Sequence, residues 1–178
     1  LIVDASYNLE GWERAFCARL YEIMHRRGLA LAGDGPIRVR DAEDFLSQTG
    51  SHVSYNSVLL VGYGSGSRAL GPDLFSYWTS LNSVEDTSPK LFAACYLGSQ
   101  DHTEGNGTIL KSPSTVFPIA LSSQFPLSAR GSGLFFIKFF TELALHSDGQ
   151  ITGKMAWFSC AKANELLRKR KLEGKVLV

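Results

Sequence analysis

The sequence predicts an α/β fold, with a mainly parallel central sheet and helices on both of its faces. Three observations carry this expectation. Short apolar runs at Val58 to Val61, Leu91 to Cys95 and Val116 to Leu121 each stop abruptly at polar or glycine-rich turns, as buried parallel strands do. Between and around them lie segments with apolar residues at helical spacing. Strands that alternate with helices build parallel sheets, and helices on both faces are their commonest arrangement.

The elements follow in order. Leu1 to Ala5 is a short apolar run before Ser6, Tyr7 and Asn8, which suits a first strand and its loop. Trp12, Phe16, Leu20, Ile23 and Met24 recur at spacings of three and four, with Glu13, Arg14, Arg19 and Arg26 between them, so residues 9 to 27 read as an amphipathic helix stopped by Gly28. Gly33 to Pro36 is turn material, Ile37 to Val39 a short strand, and 42 to 47 a helical segment. Val58 to Val61 is a central strand feeding the loop Gly62-Tyr63-Gly64-Ser65-Gly66. Pro72 and Asp73 open a helix through Leu81, because proline suits a first turn and an acidic side chain suits the positive helix N-terminus. Leu91 to Cys95 is the next strand, ended by Tyr96-Leu97-Gly98-Ser99, and a polar stretch from Gln100 to Ser114 follows as a long loop. Val116 to Leu121 is a strand, Gly133 to Leu145 an apolar helix, Ala156 to Lys171 a helix with a basic end, and Lys175 to Val178 a last strand.

Composition narrows the function. With 178 residues the chain amounts to one domain, 1–178, and its start at Leu1, inside a predicted strand, suggests a segment of a longer polypeptide. Its 18 basic and 17 acidic side chains leave a formal charge of +1, so nothing global favours nucleic acid or an anionic membrane surface as a partner. No run approaches the roughly 18 apolar residues of a membrane span, and no signal-peptide order is present. The three cysteines, Cys17, Cys95 and Cys160, are odd in number and lack metal-ligand spacing, which argues against a disulfide framework and against a metal site. A cytoplasmic setting, with no metal and no cofactor, is the expectation.

Ligands of open parallel sheets bind beyond the C-terminal ends of the strands. Two loops compete there: Gly62 to Gly66, whose backbone amides can converge on an anion or oxyanion, and Cys95 to Ser99, which places a thiol directly after its strand. The first loop spells G-x-G-x-G, not the dinucleotide G-x-G-x-x-G, and Asp86 falls in a polar segment where a ribose ligand would need a strand end. Cysteine at a strand end is more often packing than chemistry. Cys17 and Cys160, on helices, read as packing residues.

Taken in order, these segments resemble the CHAT family of caspase-like cysteine peptidases, over residues 55 to 178. The likeness is carried by Val-Gly-Tyr-Gly-Ser at 61 to 65, Ala-Ala-Cys-Tyr-Leu-Gly at 93 to 98, FPIALSSQFPL at 117 to 127, LFFIKFFTEL at 134 to 143 and CAKANELLRKR at 160 to 170. The resemblance implies a three-layer caspase-like fold, with Cys95 at the nucleophile position and the backbone amides of Gly64 and Cys95 forming an oxyanion hole. It also puts Tyr63 where that family carries its catalytic histidine. A phenol titrating near 10 does not take a proton from a thiol titrating near 8.5 as imidazole does. The ordinary dyad is therefore missing.

Four histidines are possible replacements. His25 sits in the first helix, His52 precedes the strand leading to Tyr63, and His146 ends a helix. His102 follows Cys95 in the polar loop and is the weak alternative base. Arg130, close to a helix start, is the candidate substrate-binding residue and would favour an acidic group. The leading expectation is a catalytically degenerate CHAT-like domain that binds peptide or protein, with other domains of the same polypeptide among its partners. The alternatives are an active cysteine endopeptidase using Cys95 with an unconventional base, and a domain that binds an anionic small molecule at Gly62 to Gly66.

Overall fold

The structure, a computed structural model, describes residues 2–4, 12–39, 44, 56–63, 90–97, 119–123, 128–147, 150–170 and 176–177. The elements are β1 (Ile2–Asp4), α1 (Trp12–Arg26), β2 (Ile37–Arg38), β3 (Ser57–Tyr63), β4 (Leu91–Leu97), β5 (Ile119–Ser123), α2 (Ala129–His146), α3 (Gly153–Lys169) and β6 (Val176–Leu177). The strands are ordered β2-β1-β3-β4-β5-β6. β1 to β5 run parallel, and β6 is antiparallel to β5, with Ser122 opposite Leu177.

Each helix buries one stripe. On α1 the stripe is Cys17, Leu20 and Met24, at the three- and four-residue steps that put side chains on one face. The α2 stripe is Phe135, Phe136, Phe139 and Leu143, and the α3 stripe is Ala156, Cys160, Ala163 and Leu167. Alanines on α3 let its backbone approach the phenylalanines of α2, so bulk on one helix is matched by small residues on the other. Phe135 meets Phe136 edge-on at 5.1 Å, and Phe139 meets Phe140 in the same way at 5.1 Å. The sheet contributes Ile2, Leu59, Val61, Leu91, Ala93, Ile119 and Leu121 to the same core. These positions are in register across β1, β3, β4 and β5, so they share one face. Val58 and Leu60 fall on the opposite face by the period of two, and they are buried as well.

This arrangement corrects the expected fold class, a three-layer caspase-like α/β fold with a mainly parallel central sheet and helices on both faces. Helix makes up 61% of the chain described to its side chains. The three described helices do not sandwich the sheet: α1 packs on α2 and α2 on α3, and all three join a single core. The physical reason lies in the α2–α3 hairpin. Its return strand β6 is antiparallel to β5, which needs no crossover to the far face, so both helices stay on one side. Alternating elements in a sequence do not reveal the side taken by each helix. The helices expected at 42 to 47 and 72 to 81 lie outside the described residues, except for Asp44, which is helical.

Several boundaries also moved. α2 starts at Ala129, four residues before the predicted Gly133, because the Ser128 hydroxyl accepts the Gly131 N–H at 3.1 Å and caps the first turn. Thr152 does the same for α3, accepting from the Met155 N–H at 3.3 Å. The Ser128→Ala variant is expected to lose about 1 kcal/mol of stability, measured by urea unfolding. An unchanged midpoint would show that the cap carries no weight.

Candidate functional site

β3 does not end where the sequence suggested. Gly62 and Tyr63, expected in a loop, continue the ladder, with Gly62 opposite Tyr96 and Tyr63 opposite Leu97. Cys95, expected directly after its strand, lies inside β4 and is paired with Val61. The corrections share a cause: β-branched and aromatic neighbours favour pairing, and the partner strand's hydrogen bonds outweigh glycine's poor intrinsic propensity.

In this register, positions 63 and 95 sit on neighbouring strands, two residues out of step. At about 3.3 Å per residue and about 4.8 Å between strands, their backbones are about 8 Å apart. The period of two places both positions on one face, the face that also carries Leu59, Val61 and Ala93. Positions 63 and 95, expected from the sequence as base position and nucleophile, thus lie on neighbouring strands, two residues out of step. Gly64 and His102 lie outside the described residues, as does His52.

Arg130 is exposed, in the first turn of α2. Its place relative to the strand ends follows from the far end of the same helix. There a cavity of about 170 Å³ is bounded by Phe140, Leu143 and Ser147 of the α2 end and by Ile2, Asn56 and Ser57 at the start of the strands. The C-terminus of α2 therefore sits at the N-terminal edge of the sheet. A helix of 18 residues is about 27 Å long, so its N-terminus, with Arg130, lies toward the opposite edge of the sheet.

The remaining histidines are placed elsewhere. His25 is exposed on α1, with its ring parallel to that of Tyr21 at 6.2 Å, and His146 ends α2 beside Phe158 at 5.3 Å. Cys17 and Cys160 are buried in the core, and Asn164 donates to the Cys160 sulfur at 3.4 Å, so both act as packing groups. Among the described residues, no three His, Cys, Asp or Glu side chains cluster as a metal ion would need. Nor is any described helix long and apolar enough to cross a membrane.

Sequence reasoning missed the cavity at the N-terminal edge. It is formed by residues far apart in the chain, and no local pattern announces such a meeting. No family model, curated protein or solved structure matches this chain.

Proposed function

We propose that this chain is a catalytically degenerate relative of the CHAT peptidases, acting as a peptide- or protein-binding or regulatory module at the C-terminal ends of β3 and β4. One observation carries the reading: positions 63 and 95 lie on one face of adjacent parallel strands, and the residue at the base position is a tyrosine. A phenol donates a hydrogen bond to a peptide carbonyl but stays protonated at neutral pH, which permits binding and denies the thiol its base. The helix N-terminus and Arg130, toward the same edge of the sheet, favour a partner with an acidic group. Other domains of the same polypeptide are natural partners for such a module.

An electrophilic, thiol-directed peptide probe tests this reading. Slow labelling that disappears in Cys95→Ala, and that an excess of the unreactive parent peptide suppresses, is expected. Labelling of equal extent in Cys95→Ala would overturn it, because the reactive thiol would then lie elsewhere.

A further inference from the structure

The outward face of α3 is at odds with the chain's neutrality. Within Gly153–Lys169 the cations Lys154, Lys162, Arg168 and Lys169 stand against the single anion Glu165, a net +3 in a chain whose total is +1. These residues are all exposed, and with Trp157, Phe158 and Ala161 they recur at three- and four-residue steps, forming one stripe opposite the buried Ala156, Cys160, Ala163 and Leu167. The centre of the stripe is apolar. Trp157 is 65% exposed and Phe158 38%, and the His146 ring at the end of α2 lies against Phe158. The Lys162 ammonium sits over the Phe158 ring at 5.6 Å. Leu145, 71% exposed near the end of α2, is a further large apolar side chain left in solvent among the described residues.

We infer that the outward face of α3 is a docking surface for an acidic peptide segment carrying large apolar side chains, separate from the strand ends of β3 and β4. An exposed tryptophan and phenylalanine, with cations before and after them along one helix face, have the composition of an interface anchor with a charged rim. Charge complementarity selects the occupant. Among the described residues Lys154 and Arg168 have no ion-pair partner, and they bracket the aromatic pair along the helix. A polyanion such as nucleic acid would be met better by an unbroken cationic track, and here Glu165, held by Lys169 at 2.7 Å and Lys162 at 3.7 Å, interrupts the track. A lipid surface needs a broad apolar face to insert, and the apolar face of α3 is spent on the core.

The test is a membrane-supported array of short peptides rich in Glu with interspersed Leu and Phe. Beside them stand peptides with Lys for Glu and with Ser for the apolar residues, and in parallel phosphatidylserine vesicles and a single-stranded oligonucleotide. The intact protein is expected to be retained on the acidic, apolar peptides alone, with retention falling as salt rises. Trp157→Ala and the Lys154→Glu, Lys162→Glu double variant are each expected to weaken it by about tenfold or more, and Arg27→Glu, an exposed position beyond the end of α1, to leave it unchanged. Because all three side chains are exposed, unchanged circular dichroism confirms that the variants fold. Retention indifferent to these variants, preference for vesicles or oligonucleotide, or equal retention on the Lys or Ser peptides would overturn the inference.

Discussion

Replacing Phe139 by alanine is expected to destabilise the protein by about 3–5 kcal/mol. Phe139 is 0% exposed and lies at the middle of the α2 stripe, its ring stacked on Phe135 at 6.0 Å and edge-on to Phe140 at 5.1 Å. Truncation there removes the transfer energy of a full aromatic side chain and leaves a cavity. The rigid rings around it and the sheet beneath cannot collapse to fill that space. Domains of ordinary stability hold only about 5–15 kcal/mol in reserve, so this one change removes a large share of it. At about 2–4 °C per kcal/mol for a chain of this size, Tm falls by about 6–20 °C. Leu145→Ala on the same helix is the matched control. Leu145 is 71% exposed, and its loss is expected to shift stability by no more than about 0.5 kcal/mol. If the two variants unfolded at the same urea concentration, α2 would not present the face assigned to it.

The Tyr63→His variant is expected to accelerate labelling of Cys95 by a thiol-directed probe about tenfold or more at pH 7. An unpaired thiol titrating near 8.5 is only about 3% ionised at that pH, so a neighbouring imidazolium that stabilises the thiolate has about a thirtyfold ceiling to work towards. The gain is expected to shrink as the pH rises through about 8.5, where the unassisted thiol ionises on its own. Hydrolysis has more room to change, because a general base contributes about 10²- to 10⁴-fold. The backbone register makes this a test of geometry as well as chemistry. Positions 63 and 95 share a face on neighbouring strands, two residues out of step. If Tyr63→His labelled no faster than the parent protein, the two positions would not form a functional pair.

Much of the secondary structure is written locally. The run at 58 to 61 is strand and the steps from Phe16 to Met24 are helix because burial on two faces and burial on one stripe leave different periodicities. Helix starts were less legible. Glycines at 131, 133 and 153 disguise the first turns of α2 and α3, and only the capping hydroxyls of Ser128 and Thr152 settle them. The layer arrangement was not legible at all, because the side of the sheet on which a helix lands depends on the return of β6 beside β5, a contact between distant residues. The candidate site divides in the same way. Cys95 stood out as a thiol within an apolar strand, but its alignment with Val61, and so the offset of Tyr63 from it, belongs to the register alone. The α3 surface was half legible: the basic end from Arg168 shows in the sequence, whereas the exposure of Trp157 follows only from the packing that turns Ala156, Cys160 and Ala163 inward.

Turnover decides the central claim. The protein is incubated at pH 7 with a diverse peptide pool, and new termini are read by mass spectrometry beside the Cys95→Ala variant. The account predicts identical spectra for the two proteins, with peptide binding but no Cys95-dependent cleavage. Cleavage by the unmodified protein that Cys95→Ala abolishes would contradict it, and would make the chain an active endopeptidase working with a base other than Tyr63.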